Sequence, residues 1–261
     1  MTGSDRRVSV ALVVALVAGA VAFSWPLFLR PDSAVTPAQA PIMFALVLPI
    51  VLAIVLSELA GGRLDVKALA MLGVLAAVGT ILRPLSAGTA GFELIFFLII
   101  LAGRVFGARF GFALGAITLF SSALITSGVG PWLPYQMLTA GFVGLFAGWL
   151  PPAKGRAELV LLSAYGMVSA FAYGWLMDFS FWPFAIGDGT QLSFDPAASP
   201  LANLHRFVLF NVATSMGWNL GRALTNAILV LLLGAPLLRL FRRTARRASF
   251  RPDRSLTALA E

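Results

Sequence analysis

The stretch Asn211-Val212-Ala213-Thr214-Ser215-Met216-Gly217-Trp218-Asn219-Leu220-Gly221-Arg222-Ala223-Leu224-Thr225-Asn226, with the apolar run 227–238 after it and then Arg239, Arg242, Arg243, Arg246 and Arg247, decides how the rest of the chain is read. Counting back about 20 residues from Arg239 crosses a hydrocarbon core and places its outer boundary near Asn219. An arginine block directly after such a run belongs on the cytoplasmic side, against anionic lipid. Asn211, Ser215, Asn219, Arg222 and Asn226 are spaced by 4, 4, 3 and 4 and so share one helical face. A charge at mid-bilayer costs roughly 2.5–3.5 kcal/mol, and less nearer the interface. Arg222, a turn inside the outer edge, either snorkels alone or joins a polar face lining a water-accessible cavity. Its four companions on the same face favour the cavity, with Asp178 as a candidate ion partner.

Working outward, 59% of the 261 residues are hydrophobic and 11% are charged, less than half the charged share of an ordinary soluble domain. Such a chain is a membrane protein. Without cysteine there is no disulfide or thiolate chemistry, and His205 alone gives no histidine metal site. No cofactor, metal or catalytic residue is expected. The net charge of +8 comes largely from the seven basic residues of the tail, which points to a membrane surface and not to nucleic acid.

Apolar blocks and their breakers predict an all-α bundle of eight spans, over 8–28, 41–59, 66–82, 92–106, 108–125, 133–150, 158–177 and 204–238. The fourth is short for a crossing. With the N-terminus inside, fifteen of the nineteen basic residues fall on the inner face: Arg6, Arg7, Arg63, Lys67, Arg104, Arg109, Lys154, Arg156 and the tail. Arg30, Arg83 and Arg206 fall outside, and Arg222 lies within a helix. That bias fits the positive-inside rule with both termini cytoplasmic. A signal peptide ending at Ala38-Gln39-Ala40 is the competing reading of the N-terminus. The expected organisation is a two-helix extension (1–62), a six-helix membrane domain (63–238) and a basic tail (239–261). The long non-helical stretch 178–203 is expected outside, and loops of that length are commonly functional.

No lysine follows the G-x-x-x-x-G-K-[ST] pattern, so this chain is not the ATPase of a pump. Gly130-Pro131-Trp132-Leu133-Pro134-Tyr135-Gln136 forms an outer loop and helix start. Trp132 and Tyr135 suit either an interfacial aromatic belt or an outward pocket, and the amide of Gln136 needs a partner. Tyr173-Gly174-Trp175-Leu176-Met177-Asp178-Phe179-Ser180-Phe181-Trp182-Pro183-Phe184 packs aromatics around a carboxylate, as belts and ring-binding pockets both do. Gly73, Ala76, Ala77 and Thr80 on the third segment, and Ala11, Ala15, Gly19 and Ala22 on the first, allow close helix approach. They serve either internal packing or a docked partner helix.

From about Val66 onward the chain resembles the substrate-binding (S) subunits of energy-coupling factor (ECF) importers, the cobalamin-type branch most of all. The resemblance is carried by Arg104-Val105-Phe106-Gly107-Ala108-Arg109-Phe110-Gly111, Gly130-Pro131-Trp132 with Tyr135-Gln136-Met137, and Gly141 to Gly148. Tyr173-Gly174 through Phe184 and Thr214-Ser215-Met216-Gly217-Trp218 through Arg222-Ala223 complete it. It implies a six-helix fold starting at the third segment, with loops 85–91, 127–131 and 178–203 covering the ligand. It also implies residence in a bacterial plasma membrane, a vitamin substrate, a transmembrane coupling subunit and two cytoplasmic ATPases. Two departures stand out. Gly73 and Ala77 replace the alanine pair used for docking in the family, and Asn219 stands where related sequences carry an acid.

The substrate-binding candidates are Trp132, Tyr135, Gln136, Trp175, Asp178, Trp182, Asn219, Arg222 and Asn226. The partner-docking candidates are Gly73, Ala76, Ala77 and Thr80. Two alternatives remain: a secondary transporter relaying charge between Asp178 and Arg222, and a membrane enzyme acting on lipid-linked substrates, for which no acid–base pair is apparent.

Overall fold

The computed structural model describes residues 10–28, 40–60, 66–86, 90–186 and 189–248. The cleavage-like Ala38-Gln39, the basic residues Arg6, Arg7, Arg30, Arg63, Arg251 and Arg254, parts of loops 85–91 and 178–203, and the side chains of Ala11 and Arg247 lie outside the described residues. Among the described residues all regular structure is helical: α1 (Val10–Ser24) with a 3-10 turn (Trp25–Phe28), α2 (Ala40–Ala60), α3 (Val66–Ser86), α4 (Phe96–Phe106), α5 (Ala108–Ile125), α6 (Leu133–Trp149), α7 (Gly155–Ala185), α8 (Pro200–Thr214) and α9 (Met216–Ala248). The all-α polytopic bundle stands.

Among the described residues, four helices are long and apolar enough to cross a membrane: Val66–Ser86, Ala108–Ile125, Gly155–Ala185 and Met216–Arg246. The eleven residues of α4 rise only about 16 Å, roughly half a hydrocarbon core, so that expected crossing is a short buried helix. Its whole length from Phe96 to Gly103 is buried within the bundle. Large apolar side chains such as Val74, Ile81, Val160, Val168 and Leu232 are exposed around the circumference, as a lipid-facing belt requires.

The tightest packing joins α5 to α6 through glycines spaced four apart. A Cβ on Gly111 or on Gly144 would overlap the facing backbone, so the two helices touch main chain to main chain. Gly103 of α4 also meets Gly144. Between α4 and α5 the chain turns in one residue, Gly107, at φ +98°, a value L side chains rarely adopt. α1 and α2 pack on this bundle: Ala15 and Val51 are fully buried, Gly19 abuts Phe142, and Phe23 meets Tyr135 edge-on at 5.1 Å. The small-residue stripe of α1 therefore serves internal packing.

Two expectations are corrected. The supposed loop 178–203 begins as helix, because α7 continues to Ala185. Phe179 and Trp182 pack on Phe207 of α8, Phe181 on Tyr135, and Phe184 stacks on Trp25. Pro183 falls in the last turn, where its missing N–H removes one hydrogen bond against all of that aromatic packing. The last segment is in turn divided. α8 starts at Pro200 with Ser199 accepting a capping bond from the Ala202 N–H, and it ends where Ser215 departs from helical geometry. The Thr214 hydroxyl donates back to the Phe210 carbonyl, a bond that competes with regular helix there. The first part of the expected tail, to Ala248, is helix.

α8 and α9 both run back along α7, from Phe207 beside Trp182 to Asn226 beside Gly166. One end of the bundle gathers Arg83, Glu93, Gln136 and Asp178; the opposite end gathers Arg104, Leu150, Glu158 and Arg242. We term these the Arg83 end and the Arg104 end. At the latter, Glu158 is buried and accepts hydrogen bonds from Arg104 Nε at 2.9 Å and Arg242 at 2.5 Å, while Arg104 also donates to the Leu150 carbonyl. One carboxylate thus ties α4, α7 and α9 together.

Candidate functional site

The polar face of α9 turns into the bundle. Asn219, Arg222 and Asn226 are buried and lie against Gly174, Ala170 and Gly166 of α7, three small residues at the same four-residue spacing. A small residue is required at Gly174, where the Asn219 amide occupies the space a side chain would fill, and Asn226 Cβ comes close to Gly166. Arg222 donates from Nε to Glu93 Oε2 at 3.1 Å and from a terminal nitrogen to Asn219 Oδ1 at 3.0 Å and the Ala170 carbonyl at 3.4 Å. Its guanidinium lies 4.9 Å above the Tyr173 ring. The ion partner of Arg222 is therefore Glu93, and Asp178, the sequence candidate, is held elsewhere. Glu93 was missed although a lone carboxylate at the head of an apolar helix is itself a signal.

Asp178 accepts a hydrogen bond from Asn211 Nδ2 at 2.6 Å, while the Ser215 hydroxyl lies 3.1 Å from that of Thr214. The stripe read on one helix face thus serves two partners. Asn211, at the α8–α9 junction, holds Asp178; Asn219 and Arg222 engage Glu93 and α7.

The amide of Gln136 also finds its partner. Arg83, at the end of α3, donates to Gln136 Oε1 at 2.9 Å and to Ser122 Oγ at 2.6 Å. Counting Arg83 among outer loop charges concealed this role. Arg83, Glu93, Asp178 and Arg222, with the groups that hold them, all lie in the Arg83 half of the bundle, and we term them the polar layer.

The aromatic candidates divide. Trp182 is buried, donates its indole N–H to the Leu192 carbonyl at 2.7 Å and meets Phe194 edge-on, so it pins the loop after α7. Trp175 packs edge-on against Phe207. Tyr135 is buried between Phe23 and Phe181. Trp132 is 42% exposed with its indole N–H on the Gly128 carbonyl, which suits a boundary position. Deep in the layer, Asn219 Nδ2 and both polar atoms of Asn226 are buried with no hydrogen-bond partner in the structure, leaving donors and an acceptor available.

Two clefts lie beside this layer. One of 440 Å³ is bounded by Thr190, Gln191, Ser193 and Asp195 of the segment between α7 and α8 with Arg206, and one of 310 Å³ by Ala90, Phe92, Gly221, Leu224 and Thr225. Neither is lined by Arg83 or Arg222. The docking candidates also separate: Gly73 and Ala77 are exposed on α3, and Ala76 and Thr80 face inward.

A helical membrane bundle that collects two arginines, two carboxylates and several amides in one half, with no P-loop, has the build of a substrate-binding membrane subunit. Residues 67–234 match the family model described as ECF transporter, substrate-specific component, and the chain belongs to that family. The match opens where the six-helix resemblance does and leaves α1 and α2 outside it. Members are substrate-capture subunits of ECF importers, transport proteins of the plasma membrane that work with a transmembrane coupling subunit and ATPases. Neither curated proteins nor solved structures gave a match.

Proposed function

We propose that this chain captures a vitamin or vitamin-like micronutrient in the polar layer of the Arg83 half, with that end facing outward and both termini in the cytoplasm. A coupling subunit and a pair of cytoplasmic ATPases supply the energy. The observation that carries the reading is the inward turn of Arg222, held by Glu93, Asn219 and the Ala170 carbonyl over Tyr173. A charge buried at that cost, with unsatisfied amides beside it, is a binding feature and not a packing one. Gln136, Asp178, Asn219, Arg222 and Asn226 contribute polar contacts; Trp132, Tyr135, Trp175 and Trp182 shape the aromatic end. The exposed Gly73 and Ala77 on α3 form the docking face for the coupling subunit, and residues 1–62 are an accessory pair of helices on the six-helix domain. Cobalamin is the substrate favoured by the sequence resemblance.

The test is affinity purification of the tagged chain from native membranes. A coupling subunit and ATPases should be recovered with it in near-stoichiometric amounts. Recovery of the chain alone, under conditions that preserve a known membrane complex in the same preparation, contradicts the reading.

A further inference from the structure

The four charges of the polar layer are not equally matched. Glu93 is paired with Arg222, and Asp178 is held by Asn211. Arg83 is different. Its guanidinium, on a part-buried side chain, is engaged by two neutral groups, Ser122 Oγ and Gln136 Oε1, and among the described residues no carboxylate lies within 4.0 Å of it. Ser122, whose hydroxyl accepts from Arg83 while donating to the Leu119 carbonyl at 3.3 Å, is neutral and supplies no counter-charge. Because Gln136 presents its oxygen to Arg83, its amide nitrogen is left as a donor beside the same cation. The result is a cluster of N–H donors around an uncompensated positive charge, facing the interior of a bundle whose solvent is lipid.

A guanidinium in such surroundings is stabilised by an oxyanion, which it can engage through two parallel hydrogen bonds. The side chain is turned from α3 onto α5 and α6, where it makes both of its hydrogen bonds. We infer that Arg83, with Gln136, is the receptor for an oxyanion on the transported molecule, so that the substrate is a carboxylate- or phosphate-bearing compound and not a neutral or cationic one. This rests on the capture reading above and specifies the chemistry of the same layer. Tyr173, with the Arg222 guanidinium 4.9 Å above its ring, is the aromatic face next to the second arginine.

The experiment is a thermal-shift and calorimetric comparison on the purified full-length protein, using pairs of probes that differ at the oxyanion. These are biotin and biotin amide, nicotinate and nicotinamide, pantothenate and panthenol, and cobalamin with cobinamide, which lacks the phosphodiester together with the ribose and base and is compared for its oxyanion and not for net charge. The anionic member of one pair should bind, with its neutral partner weaker by about tenfold or more, the size of one charge-assisted hydrogen bond. Arg83→Gln should bring the anionic member down to its neutral partner, and Arg83→Lys, which keeps the charge but loses the fork, should fall between. If the glutamine variant does not fold, the paired comparison on the unmodified protein decides alone. Equal binding of both members of the bound pair, or a preference for the neutral one, overturns the oxyanion assignment and leaves the capture reading intact. Binding of no probe overturns it too; if no small molecule co-purifies either, the capture reading falls with it.

Discussion

Asn219 of α9 and Gly174 of α7 occupy one volume between them: a Cβ placed on Gly174 would overlap Asn219 Oδ1. The same oxygen accepts from Arg222, so the glycine sets how deeply the polar stripe can enter the bundle. Gly174→Ala is therefore expected to separate the two helices at the site. Overpacking of this kind costs about 1–3 kcal/mol, and ligand binding should weaken along with thermal stability. Thermal unfolding in detergent, read with and without ligand, checks this; an unchanged melting curve contradicts the close approach.

The Glu93–Arg222 pair spans 129 residues of sequence at 3.1 Å. Glu93→Gln leaves a buried guanidinium short of its anion, which should destabilise by about 1–3 kcal/mol. Arg222→Gln should be costly as well. The double variant is expected to lose less than the sum of the two, because the second change removes the group the first one stranded. Additive losses in a double-mutant cycle would show that the two side chains act independently.

At the opposite end the single carboxylate of Glu158 serves two arginines of unequal burial, with Arg104 side-chain exposure 10% and Arg242 41%. Stability should fall most for Glu158→Gln, less for Arg104→Gln and least for Arg242→Gln, since an exposed partner is replaced by water. Chemical or thermal denaturation of the three variants gives the order directly. Equal losses for the two arginines would contradict it.

Gly73 has open space where a side chain would go. A tryptophan there should leave the isolated chain within about 0.5 kcal/mol of its normal stability. If α3 is the docking face, Gly73→Trp abolishes co-purification of the coupling subunit while leaving substrate binding unaltered. Undiminished co-purification would move the docking face elsewhere.

The parts legible in sequence are those with a local signature. The 4, 4, 3, 4 spacing that ends at Asn226 put the stripe on one face, and Asn219, Arg222 and Asn226 are indeed buried. The glycines from Gly141 to Gly148, read in sequence only as part of the family resemblance, turn out to make the tight α5–α6 contact. What escaped depends on partners remote in sequence. Arg83 meets Gln136 across 53 positions, and nothing beside either residue points to the other. Asp178 and Trp182 read as loop because Pro183 and Asp178 are local breakers; the contacts with Phe207, Tyr135 and Trp25 that keep α7 helical there are tertiary. Ser215 interrupts what periodicity alone made a single helix.

The most direct test of the account is a structure determined with the co-purifying molecule in place. Density for it among Arg83, Gln136, Tyr173 and Arg222, with an anionic group on Arg83, is the predicted result. Density confined to the cleft beside Arg206 or to the apolar cleft beside Gly221, with the polar layer still closed on itself, would contradict it.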